Sequence, residues 1–168
     1  MTALELQKAL ASEIKELFSS ELFKSPSGGY AHIQTFRQNL PIRQVEVISD
    51  GTEEFTDEES DEDPFPFVIV RLHSGEIASQ ADPHKVTVLL IVGAFDDSLD
   101  NDGHDSVMSI LDQIQRHYEG NPVAGGRFIL DDPFDWYLQE ESSYPYFYGS
   151  AETHWKAPAP RREWSKYV

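Results

Sequence analysis

The densest set of side chains able to do chemistry lies between positions 96 and 105: Asp96, Asp97, Asp100, Asp102, His104 and Asp105. Clustered carboxylates suit Ca2+ or Mg2+, because hard cations take oxygen ligands. Asp100-Asn101-Asp102-Gly103 matches part of an EF-hand loop. With Gly103 at the sixth loop position, the first and twelfth fall on Ser98 and Ser109. Both should be strong oxygen ligands, and the twelfth should be Glu, so the match fails. The cluster therefore reads as a solvated loop leading from a strand into a helix. A metal-dependent hydrolase built on Asp96 to Asp105 is the alternative. His104 can cap that helix or contact Asp102.

Other catalytic signatures are missing. The histidines at 32, 73, 84, 104, 117 and 154 are scattered, and no His-x-x-x-His pair supports a zinc helix. There is no Gly-x-Ser-x-Gly elbow, no P-loop and no Gly-x-Gly-x-x-Gly. Gly125-Gly126 reads as a turn. The chain has no cysteine, which excludes disulfides, thiol nucleophiles and thiolate zinc sites. No catalytic, cofactor-binding or metal-binding residue is assigned, and no cofactor is expected. The expectation is a protein that works by assembling.

Aromatic and basic residues near the C-terminus carry that expectation. Tyr144, Tyr146 and Tyr148 alternate onto one face of a strand, and Pro145, Phe147, Gly149 and Ala151 onto the other. One face should enter the core. The other is core as well, or an interface, where tyrosine is enriched. Lys156, Arg161, Arg162 and Lys166 place four of the thirteen basic residues in the last thirteen positions. This segment is either a frayed tail or an arm that docks on an acidic neighbour, with Trp155 and Trp164 as anchors.

Composition limits the partners. The 168 residues, 39% hydrophobic and 12% aromatic, suit one globular domain. Thirteen basic residues against thirty acidic ones give a formal charge of −17, which repels phosphate backbones. Assembly would then require charge to be segregated from the contacts. The N-terminal residues lack the pattern of a signal peptide. The longest apolar run, near Val86 to Phe95, is too short to span a bilayer. An intracellular protein without membrane partners is expected.

These residues must be positioned by a small set of elements. Leu6, Leu10, Ile14, Leu17 and Phe18 recur at helical spacing and predict an N-terminal helix over 1–24, with Thr2 and Glu5 spaced as a capping box. Strands are expected over 30–36 and 42–48. Positions 50–64 form an acidic loop carrying Glu53, Glu54, Asp57, Glu58, Glu59, Asp61, Glu62 and Asp63 after Asp50, with no basic residue among them. Phe67 to Leu72 reads as a strand ended by a turn at His73 to Glu76. Val86 to Val92 is apolar on alternate faces and reads as a central strand covered on both sides. Val107, Ile110, Leu111, Ile114 and Tyr118 form the stripe of a helix over 105–118, stopped by Gly120-Asn121-Pro122. Short strands follow at 128–130 and 134–138. The aromatic strand at 144–155 contains Pro145, which points to an edge or a bulge. An extended arm covers 157–168. The fold class is α+β: one domain over 1–168, a mixed or mainly antiparallel sheet flanked by an N-terminal and a central helix.

The order of these pieces resembles a known family. Pro66-Phe67-Val68-Ile69-Val70-Arg71-Leu72 is followed by Ile91-Val92-Gly93-Ala94-Phe95-Asp96-Asp97, then Gly103-His104-Asp105-Ser106-Val107. The chain closes with Tyr144-Pro145-Tyr146-Phe147-Tyr148-Gly149, Glu152, Trp155, Pro158, Pro160, Arg162 and Glu163. Over roughly residues 65 to 164 this resembles the tail terminator or tail completion proteins of long-tailed bacteriophages and related prophage minor capsid proteins. The resemblance implies a virion protein at the head-proximal end of the tail, assembled in the host cytoplasm. It implies a homo-oligomeric ring, usually a hexamer, that caps the tube of tail tube protein and meets a head–tail connector protein. DNA would pass through the lumen without specific binding. A connector component of the same particle is the neighbouring alternative. The acidic loop at 50–64 departs from the family pattern. It would line the lumen, hang outside, or contact tube or connector.

Overall fold

The computed structural model describes residues 2–42, 64–79 and 81–158. The expected strand at 42–48 lies outside them except for Ile42, and so do the acidic positions 50–63 and the arm beyond Pro158. The fold is α+β, as the sequence predicts.

The first helix, α1, spans Ala3–Leu17, shorter than the expected 1–24. It starts where expected. The Thr2 hydroxyl accepts from the Glu5 N–H, and the Glu5 carboxylate accepts from the Thr2 N–H, closing a reciprocal cap. It ends early because Ser19 turns its hydroxyl back onto the Glu16 carbonyl, satisfying one of the free C-terminal acceptors. Phe23–Lys24 then forms strand β1, which pairs with β2 (Tyr30–Ala31) in a small separate ribbon. The single strand expected over 30–36 is thus two. Ile33 leaves the ribbon for the core, and β3 (Gln34–Arg37) joins a different sheet.

That main sheet holds six strands. In chain order these are β3, β4 (Phe67–Glu76), β5 (His84–Phe95), β6 (Val123–Ala124), β7 (Phe128–Leu138) and β8 (Tyr146–Ala157), with helix α2 (His104–Gly120) after β5. Spatially they run β3-β4-β5-β8-β7-β6. β3 and β4 are parallel, and every other pair is antiparallel. Three expectations are corrected here. The turn at His73 to Glu76 is strand, because a bulge between Leu72 and Ser74 resets the register so that β4 continues. The strands at 128–130 and 134–138 are one strand, β7, with its register shifted between Asp131 and Asp135, beside Pro133, which has no N–H to give. The aromatic strand is interior, between β5 and β8's other neighbour β7, and Pro145 precedes it.

Both helices pack on one side of this sheet. Their apolar stripes, Leu6, Leu10 and Ile14 from α1 and Val107, Ile110, Leu111, Ile114 and Tyr118 from α2, share one core with alternate strand residues. Val68, Val70, Val86, Val88, Leu90, Val92, Phe147, Ala151 and Trp155 supply the sheet's part. The sequence expectation that β5 is covered on both sides is corrected. Val86, Val88, Leu90 and Val92 are buried, whereas Thr87, Leu89 and Ile91 on the other face are only half-buried.

Polar groups tie the layers together. The Tyr118 hydroxyl donates to Glu13 at 2.8 Å, and Glu13 also accepts from the Gly125 N–H. Burial first, and then Glu13, push the phenol well above its ordinary range. The Gln7 amide donates to the Val70 carbonyl from within the core.

Glycines mark the tightest approaches. A Cβ on Gly93 would lie 2.3 Å from the Phe67 ring. Gly93→Ala should therefore lose about 1–3 kcal/mol of stability through overpacking. Gly120→Ala, at a helical position with open space around its Cβ, should be neutral or gain up to about 1 kcal/mol. Urea unfolding of both variants against the parent checks the pair.

Candidate functional site

The acidic cluster sits on the connection from β5 to α2, as the sequence predicts. Asp96 accepts from Lys24 Nζ at 2.9 Å and from the Ser98 N–H at 2.9 Å. Asp97 stands 3.9 Å from the same ammonium. The Lys24 hydrogen bond holds the Asp96 carboxyl below the usual carboxylate range, and Asp96 in turn raises Lys24. His104 faces Asp105 at 3.3 Å, not Asp102. Gly103 occupies the helix N-cap position, and no side chain caps the helix there. Among the described residues no group of three or more His, Asp or Glu side chains converges to hold a metal. The cluster's best-placed carboxylate is engaged by a cation of the protein itself.

The sheet face turned away from the helices carries more. It has three zones. At one end, Phe65 packs against Phe67 (4.9 Å between ring centroids), Tyr146 (4.7 Å) and Tyr148 (5.8 Å), and Phe95 packs on Tyr146 (5.7 Å). Gly93 lies beneath the two phenylalanine rings, and its lack of a side chain lets them settle on the strand. In the middle are Leu89, Ile91, Ser150 and Glu152, all half-buried. At the far end the face becomes polar. Thr87 and His154 are direct cross-strand partners, joined through Oγ1 and Nδ1 at 3.2 Å. His154 Nε2 is 3.5 Å from Glu152. Lys156 pairs with Asp131 at 2.8 Å and holds that carboxyl below its usual range. Hydroxyl–imidazole contacts of this kind are ordinary stabilising pairs of an antiparallel ladder. A cavity of about 290 Å3 opens there, between Glu76, Lys85 and Thr87 on one side and Asp131, Asp132 and His154 on the other.

The tyrosines expected at an interface divide as the alternation requires. Tyr146 and Tyr148 lie on this outer face, while Phe147, Gly149 and Ala151 face the helices. Tyr144 sits just before β8, 43% exposed, and its hydroxyl donates to the Asp97 carbonyl at 2.6 Å. Trp155 is a correction. It is 1% exposed, edge-on to Tyr118 at 5.1 Å, with its indole N–H donating to Thr153. A side chain filling its own core cannot anchor an arm on a neighbour. Arg161, Arg162 and Trp164, and the acidic residues from Glu53 to Asp63, lie outside the described residues.

Sequence reasoning missed three half-exposed apolar side chains on β7, Ile129, Trp136 and Tyr137, at 50%, 49% and 55%. The signal was present. Adjacent aromatics in a strand point to opposite faces, so Trp136-Tyr137 cannot both enter one core. The outer face thus carries an aromatic zone at one end and a polar zone at the other. No protein-family model and no curated protein matches the chain.

The Lys24–Asp96 pair gives a pH test. Asp96 has a depressed folded pKa, so its contribution to stability is present above its unfolded value, near 3.9, and is lost as pH falls through the lower folded value. Lys24→Met should lower the unfolding midpoint at neutral pH, and the gap to the parent should shrink below about pH 4. Millimolar Mg2+ or Ca2+ should leave the parent's midpoint unmoved, as thermal melts with and without the ions will show.

Proposed function

We propose that this chain is a structural virion protein, a tail-terminator-like subunit that forms a ring on the end of a phage tail tube. The ring stops addition of further tube subunits and presents the face that joins the head. The residues quoted above over roughly 65 to 164 are the source of this reading.

The observation that supports it is the one-sided sheet. Helices α1 and α2 cover one face, and the other presents aromatic side chains at one end and a polar cavity at the opposite end. Aromatic residues give large contact area for little lost side-chain freedom, which is what an assembly surface needs. A ring further requires head-to-tail contact between two unlike patches, because a self-complementary patch closes at a dimer. An acidic body and a basic C-terminal segment are unlike in that sense. A hexamer, the tube protein and the head–tail connector are the partners that follow, with DNA crossing the lumen unbound.

The test is mass in solution by light scattering, then binding to purified tail tubes and to filled heads. A discrete ring that binds tube ends and halts elongation is the expected result. Binding to filled heads but not to tubes would move the assignment to the connector. A chain that remains monomeric with both would overturn the reading.

A further inference from the structure

We infer that the cavity on the outer sheet face is a docking groove for residues 159–168 of a second copy, with Arg161 and Arg162 entering its acidic end. This rests on the ring reading for its biological setting, though the contact itself is argued from other observations.

The first is where the chain leaves the sheet. The last pair of the β5–β8 ladder joins His84 to Ala157, so the strand runs out at the end where the cavity lies. Pro158 and Pro160 follow, in Ala157-Pro158-Ala159-Pro160. Proline fixes φ and disfavours the helical region for the residue before it, so this tetrapeptide favours a stiff, extended course. A stiff exit carries Arg161 about 10–12 Å beyond the sheet, at roughly 3.1 Å per residue. A neighbouring copy is the occupant that suits this exit.

The second is charge. Residues 159–168 hold Arg161, Arg162 and Lys166 against Glu163, within a chain of net −17. The cavity wall holds Glu76, Asp131 and Asp132 against Lys85. Asp131 is paired with Lys156, whereas Glu76 and Asp132 are exposed and make no ion pair among the described residues. Guanidinium groups bind carboxylates through two parallel N–H bonds, so two arginines and two unpaired carboxylates are matched in number.

The third is spacing along the groove. From His154 to Ser150, the partner of Tyr137, is four residues of β8, about 13 Å at 3.3 Å per residue. Trp164 and Tyr167 lie two to six residues beyond the arginines. In an extended arm they fall about 7–10 Å and 17–20 Å along, on either side of the half-exposed Tyr137, and Ile129 flanks the cavity on the same strand. Arginine at the cavity and aromatic on aromatic further along give the arm one register.

Two measurements on the full-length chain decide it. A fluorescent peptide of residues 157–168 is titrated into the Arg161→Glu/Arg162→Glu chain, whose own arm is disabled. Saturable binding is expected, weakened at least tenfold when the receptor also carries Glu76→Lys and Asp132→Lys, and weakened by added salt. No binding, or binding indifferent to the groove substitutions, overturns the groove whatever the mass of the parent protein. Light scattering then compares R161E/R162E, E76K/D132K and their equimolar mixture. Each alone should lose the assembled mass, and the mixture should regain it, because the intact arm fits the intact groove and the charge-reversed arm fits the charge-reversed groove at alternate contacts. Variants that keep the parental mass, or a monomeric parent that nonetheless binds the peptide, would overturn a contact between copies. The ring reading falls separately, by a parent that never assembles on tube ends.

Discussion

Everything in this molecule hangs on the ladder between β5 and β8. Twelve consecutive pairs join His84–Phe95 to Tyr146–Ala157, the longest unbroken register in the sheet. On one side it presents Val86, Val88, Leu90 and Val92 beside Ala151 and Trp155, a surface on which α2 lies. Small residues set how close the helix comes. A Cβ on Gly149 would stand 2.5 Å from Val107, so only glycine allows α2 to seat there. Gly103 plays the same part where the helix begins, since a Cβ there would run into the Phe147 ring. The other side of the same ladder supplies Thr87, His154 and the aromatic zone. One register therefore fixes the core and the candidate binding face at once, and a slip of one residue would exchange them.

Charge explains how such a chain can both stay soluble and associate. A formal charge of −17 opposes contact between copies at long range. The described Lys and Arg ion pairs are mostly exposed: Lys24 with Asp96, Arg116 with Asp112 and Lys156 with Asp131. Exposed pairs of this kind contribute little stability. They engage Lys24, Arg116 and Lys156, three of the ten basic residues before position 159. Cation-rich residues 159–168 stand out against an anionic background, which is where the proposed contact between copies would concentrate its attraction.

How much of this could be read from the sequence depended on periodicity. α2 was legible in full as a stripe, because Val107, Ile110, Leu111, Ile114 and Tyr118 repeat at helical spacing and all are buried. The capping box at Thr2 and Glu5 was equally plain, being local. Long-range pairing was not. Nothing near Pro145 says that the strand after it lies between two others, and the proline rule pointed to an edge. Asp131 to Asp135 looked like a break between strands, since a bulge and a loop share the same turn-prone residues. Trp155 shows the sharpest limit. Its type suits an anchor as well as a core, and only its contact with Tyr118, thirty-seven positions earlier in the chain, decides for the core. At the candidate site, the tyrosine alternation was legible, whereas the cavity was not, because its walls come from four different strands.

The order of strands has a further consequence, for synthesis. β8 is made last among the eight strands yet sits between β5 and β7. Until it is inserted, β5 keeps an apolar edge with unsatisfied backbone donors and acceptors, the kind of edge that recruits other strands. A nascent chain that has reached only β7 can form α1, β4 and β5 but cannot close its sheet. The window of vulnerability to misassembly thus spans the making of residues 96–157.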